Sequence, residues 1–155
     1  MSPYLTEIES SLPRLLSLFD SDPTNMSYGQ GDRYYWSWKL IDFGNGTFQG
    51  AAHGLARLLT AQLLPSWVSP EQVINLIHSI FTGTEKLIRK DGSLEEAFPY
   101  EASYCVTALV AHDLLTAIDI LQEKLDKNVT GSYLEIIAPM IDFLEKEDEH
   151  HAIIS

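Results

Sequence analysis

Apolar residues recur at helical spacing along nearly the whole chain and nowhere alternate at the spacing of a strand. Leu5, Ile8, Leu12, Leu15 and Phe19 stand three, four, three and four residues apart, the stripe of an amphipathic helix. Phe48, Ala51, Leu55, Leu58, Leu59 and Leu63 form a second stripe that ends before Pro65. Val73, Ile74, Ile77, Ile80 and Phe81 carry a third to about Arg89. Tyr104, Ala108, Leu115, Ile118 and Leu121 mark a fourth, and Ile136, Ile137, Met140, Ile141 and Leu144 a fifth. The aromatic stretch "RYYWSWKLIDF", closed by "GNG", reads as one more short helix. The fold class expected is all-α: about six helices in consecutive hairpins, forming one domain over residues 1–155.

The punctuation supports that reading. Ser69, with Pro70 at the first helical position and Gln72 at the third, makes a capping box. Thr47 is expected to cap the second stripe, Pro99 to open the fourth helix, and Ser132 with Glu135 to cap the fifth. Pro13 is expected to kink or divide the first helix, and Pro139 to bend the last. "KDGS" is a turn, and residues 20–32 form a polar loop.

At 155 residues the chain has room for a real core, and 45% hydrophobic against 21% charged residues is ordinary for a globular domain. The 22 acids against 10 bases, a net charge of −12, argue against a nucleic-acid partner, which needs a basic face. No apolar run approaches the roughly 20 residues that span a bilayer, and the N-terminus lacks the pattern of a signal peptide. The expectation is a cytoplasmic protein without a membrane span. Its single cysteine, Cys105, stands among Val106, Ala108 and Leu109 and is expected to be buried and inert.

Two stretches carry candidate chemistry. In "YYWSWKLIDFGNGTFQGAAHGLAR", Trp38 and Asp42 are four apart, and so are Gln49, His53 and Arg57. A cation, a titratable imidazole and an amide on one helical face suit an anionic or hydroxylated ligand. They equally suit a histidine bonded to a neighbouring helix, with Arg57 at the rim. Tyr35, Trp36 and Trp38 are either core or a platform for sugar faces, and the polar residues around them favour the platform. In "DGSLEEAFPYEASY", Asp91, Glu95, Glu96 and Glu101 are either solvated acids or mutually repelling carboxylates suited to proton transfer. Tyr100 and Tyr104 stand four apart beside them. Near the end, Glu147 and His150 have the Glu-x-x-His spacing of di-iron helices, but no second copy of that motif occurs. No metal or other cofactor is expected.

"DGSLEEAFPYEASYCVTALVAHDLLTAIDIL" resembles the turn and helix of α/α-toroid proteins, in particular the helical domain of heparinase II/III-like polysaccharide lyases. "RYYWSWKLIDFGNGTFQGAAHGLARLL" is similar to the first hairpin of toroid proteins encoded with glycan-biosynthesis enzymes. The resemblance places Asp91, Gly92, Glu96 and Tyr100 on the turn motif, although Glu101 and Ala102 stand where the lyases carry a histidine. It implies a glycan ligand over Tyr35, Trp36 and Trp38. Asp42, Gln49, Arg57, Glu96 and Tyr104 would bind it, and His53 or Tyr100 would transfer a proton. Such a toroid takes about a dozen helices, so the expected half-toroid would be completed by a second copy of the chain or by a missing C-terminal half. The alternatives are a helical scaffold that binds protein and, ranked last, an isoprenoid-binding toroid of the terpenoid-cyclase kind.

Overall fold

In the computed structural model, residues 3–32, 43–98 and 100–147 are described. They form five α-helices: α1 (Pro3–Leu16), α2 (Ala51–Thr60), α3 (Pro70–Leu87), α4 (Tyr104–Leu121) and α5 (Lys127–Lys146). A short 3-10 helix, Gly46–Gly50, leads into α2. Among the described residues there is no strand, only isolated bridges such as Phe19 to Gly31 and Ile88 to Leu94. The all-α expectation holds. The aromatic segment expected to form a further helix lies outside the described residues.

Sequential helices pack as two hairpins, α2 with α3 and α4 with α5, and the hairpins stack with α2 on α4 and α3 on α5. This differs from an up-and-down ring of four, in which α3 would sit beside α4. The step from α3 to α4 crosses a diagonal, which is why residues 88–103 form a long connection containing the "DGS" turn. Leu55, Ala56, Ile77, Ile80, Leu114, Ala117 and Ile137 lie between these helices, each no more than 1% exposed. Burying each large side chain contributes roughly 1.5 to 3 kcal/mol.

Helix α4 is the most apolar element. By length and composition it is the one helix among the described residues that passes for a membrane span, contrary to the expectation that no run comes close. Its packing against α2, α5 and the 3-10 helix accounts for much of that composition, since Val110, Ala111, Leu114, Ala117 and Leu121 are buried there. Its outer face is less polar than solvent exposure would favour: Leu109 is 54% and Leu115 37% exposed. Cys105 is on this side and is exposed, so the buried thiol expected from its apolar neighbours is not found. Those neighbours follow the helix sequence, but position 105 falls outside the buried stripe.

The capping expectations divide. Ser69 and Gln72 form the complete capping box at α3. At the 3-10 helix the cap is Asn45, not Thr47: the Asn45 carboxamide accepts from the Thr47 backbone N–H and hydroxyl. Helix α4 begins at Tyr104 with Ser103 as its cap, because the chain from Glu95 to Ala102 pairs with itself first. Helix α5 begins at Lys127 with Asp126 as its cap, and Ser132 lies inside it, donating to the Val129 carbonyl. Pro13 does not divide α1; it lies in the last turn, where the missing N–H costs one bond near the end.

The polar loop 20–32 is locked onto α3. Gly29 has φ +79° and Gly83 sits against its backbone; a Cβ on Gly83 would meet the Gly29 carbonyl oxygen at 2.3 Å. Lys86 donates to the Met26 carbonyl at 2.9 Å from the next turn of α3. Within the loop, the fully buried Asp20 carboxylate accepts from the Asp22 backbone and from the Asn25 and Ser27 side chains.

Candidate functional site

The structure separates the expected site residues. His53 and Arg57 share one face of α2, as their spacing requires. Gln49 does not join them. It is fully buried in the 3-10 helix, where its Oε1 accepts from the Gly31 backbone at 3.0 Å. Its Nε2 faces the Gly29 carbonyl at 3.1 Å, the Ile80 carbonyl at 2.9 Å and the Thr84 hydroxyl at 3.2 Å. Two N–H groups serve three acceptors, so this amide is saturated and joins loop 20–32 to α3. It has no surface to offer a ligand.

His53 lies between Arg57 and a residue the sequence did not single out, Asp113 of α4. The Arg57 Nε–H donates to His53 Nε2 at 2.7 Å, and His53 Nδ1 is 2.9 Å from Asp113 Oδ1. With Nε2 accepting, the imidazole proton is on Nδ1 and is donated to the carboxylate. The His53 and Asp113 side chains are 20% and 23% exposed, so the row is half-open to solvent. The mostly exposed His112 places its ring edge-on, 6.4 Å from that of His53. Asp113 reaches α2 because position 50 is glycine: a Cβ there would stand 2.6 Å from Asp113 Oδ2. The signal for Asp113 was present in "LVAHDLL", where two polar residues interrupt an apolar helix.

The "DGS" stretch is a joint that also carries an acidic loop. Asp91 Oδ1 accepts from the Ser93 backbone at 3.0 Å and hydroxyl at 2.7 Å, and the Ser93 hydroxyl is the main cause holding its carboxyl below the usual range. Gly92, at φ +92°, lies against the Pro139 carbonyl of α5, where a Cβ would meet oxygen at 2.1 Å. Leu94 is fully buried and donates its N–H to the Thr107 hydroxyl of α4. The Glu96 carboxylate accepts from the Ser103 hydroxyl, which also caps α4. Tyr100 is 87% exposed at φ +68°, and its carbonyl accepts from Arg89 at 3.0 Å. Tyr104 turns towards α5 and packs against Phe143, with ring centroids 6.4 Å apart.

Glu96 therefore meets the N-terminal cap of α4, and His53 meets its middle. Ser103 and Asp113 are ten residues apart, about 15 Å along a helix. Tyr35, Trp36, Trp38 and Asp42 lie outside the described residues. Among the described residues, no group of three or more His, Cys, Asp or Glu side chains could hold a metal ion.

One concavity among the described residues was not anticipated. It is a groove of about 650 Å³ between α1 and α2, with Ile8, Leu12 and Leu15 on one wall and Leu58, Ala61 and Leu63 on the other. Its floor includes Gly54, and its polar lining is Ser11 and Arg57. A smaller cavity of about 220 Å³, reached past Leu63, extends it beside Leu5 and Leu64. Arg57 thus belongs both to the Asp113–His53 row and to the apolar groove.

No family model matches this sequence, and no curated protein and no solved structure matches it.

Proposed function

We propose that this chain is a helical binding domain that takes its partner into the α1–α2 groove. The groove carries the reading: about 650 Å³ of mainly apolar concavity is within the range of small-molecule sites, and it is lined by side chains that would otherwise pack a core. The candidate proton-transfer groups His53 and Tyr100 stand on different elements, one bound between Arg57 and Asp113 and the other extended into solvent. That separation favours binding over catalysis by those two residues. Titration with anilinonaphthalene sulfonate, a fluorescent apolar probe, tests the proposal. Saturable enhancement by the native chain, abolished by Leu63→Asp at an exposed position of the groove wall in a variant of unchanged thermal stability, is the expected result. No saturable enhancement by the native chain would remove the basis for the reading.

A second reading is a carbohydrate-binding segment of an α/α toroid, completed by a second copy or a further half. It draws support from the stacking of the two hairpins and from the half-open Arg57–His53–Asp113 row, whose charged groups suit hydroxyl or uronate ligands. Calorimetric titration with neutral and uronic-acid oligosaccharides tests it, and an absence of heat at millimolar ligand rejects it.

A further inference from the structure

Gly54 sits in the middle of α2, where glycine weakens a helix relative to alanine. Nothing nearby requires it: its φ is not positive, and an added Cβ would find no atom within 4 Å. Gly29, Gly83 and Gly92, by contrast, each lie against backbone that a Cβ would strike. What the missing side chain leaves open is the floor of the α1–α2 groove.

The lining of the 650 Å³ groove contains one formal charge, Arg57, in a chain with 22 acidic residues and 10 basic ones, and the one acid nearby, Glu9, lines the smaller extension beside Leu5. His53 Nε2 takes the Arg57 Nε–H, which fixes the guanidinium plane. Among the described residues, no acceptor is hydrogen-bonded to its terminal amines. A guanidinium held this way presents a fork suited to a carboxylate. From Leu5 to Leu15 the wall formed by α1 runs ten residues, about 15 Å. An extended acyl chain advances about 1.25 Å per carbon, from C–C bonds of ~1.5 Å, so about twelve carbons span that wall.

We infer that the α1–α2 groove binds a medium-chain monocarboxylate amphiphile, its tail over Gly54 between Leu12 and Leu58 and its carboxylate on Arg57. The Asp113–His53 row acts as the positioning support for that arginine. This rests on the binding reading of the groove and adds the ligand class to it.

The test is calorimetric titration of the full chain with dodecanoate and with dodecanol, both below their aggregation limits. The native chain should bind dodecanoate at least about tenfold more tightly than dodecanol, the scale of a charge-assisted hydrogen bond. Arg57→Gln should remove that difference. Gly54→Phe, which places a ring in the groove and improves helix propensity, should abolish binding of both without loss of thermal stability. Equal affinity for the two ligands would overturn the carboxylate assignment and leave the groove reading standing. Binding of neither ligand would overturn both. Dodecanoate binding that survives Gly54→Phe would place the ligand elsewhere and overturn the inference. A dimer in light scattering that dodecanoate fails to dissociate would assign the groove to a second copy of the chain and overturn it as well.

Discussion

Arg57 donates its Nε–H to His53 Nε2 across one turn of α2, at 2.7 Å, and the opposite nitrogen of the same ring meets Asp113 of α4 at 2.9 Å. A carboxylate, an imidazole and a guanidinium therefore form one hydrogen-bonded row from the interface of two hairpins to the mouth of an apolar groove. The arrangement fixes the tautomer of His53. The ¹⁵N spectrum of the neutral imidazole should show Nδ1 protonated and Nε2 bare. Asp113→Asn removes the charge that favours this state and should shift the ring towards the Nε2–H tautomer, releasing Arg57.

Gly50 is the clearance that this row needs. Gly50→Ala would bring a methyl to about the position of the Cβ that stands 2.6 Å from Asp113 Oδ2, forcing the carboxylate away from His53. The expected outcome is the same tautomer shift as in Asp113→Asn, with a stability loss of about 1 kcal/mol or less because the displaced group is a half-exposed side chain. An unchanged ¹⁵N spectrum in Gly50→Ala would count against the contact.

Gln49 is a stability residue. Gln49→Leu leaves the Gly31 N–H and the Gly29 carbonyl without their buried partner and should cost about 2 to 4 kcal/mol, read by urea denaturation. Gly83→Ala should be at least as damaging, since the Cβ meets backbone rather than a movable side-chain end.

His78 and Tyr133 give the fold a pH dependence of known sign. The Tyr133 hydroxyl is hydrogen-bonded to His78 Nδ1, and the Tyr133 ring stacks on Phe81 with centroids 3.7 Å apart. Burial lowers the pKa of His78 and raises that of Tyr133. A histidine with a depressed folded-state pKa binds protons more readily when unfolded, so its effect favours unfolding as pH falls below about 6.5. The native chain should therefore lose stability between about pH 7 and 5, on top of any carboxylate effects. His78→Gln should flatten that part of the profile.

The helix pattern was legible because apolar spacing reports the packed face directly. Leu12, Leu55, Ile77 and Ile137 all fell in stripes and all are buried. Local signals misled where two of them competed. Thr47 and Ser132 have the chemistry of caps, but Asn45 and Asp126 lie at the positions where the backbone turns. Pro99 promised a helix start, yet bridge pairing from Glu95 to Ala102 delays α4 to Tyr104. The candidate site was less legible. Spacing found the His53–Arg57 pair, but not that Asp113, sixty residues on, completes it. Gln49 sits four residues before His53, but in a 3-10 helix ahead of α2, so the α-helical phase that should align them does not apply. The groove depends on an absent side chain at Gly54, and a glycine in a helical stripe reads in sequence only as a weak position.

The most direct measurement for the binding account is a methyl-region NMR titration of the native chain with dodecanoate. The account predicts saturable shifts at Leu12, Leu15, Leu58 and Leu63 and at the Arg57 side chain, with Leu94 and the Ser103 region unmoved. Shifts centred on the Glu96–Ser103 end of α4, or no saturable shift at any ligand concentration below aggregation, would contradict it.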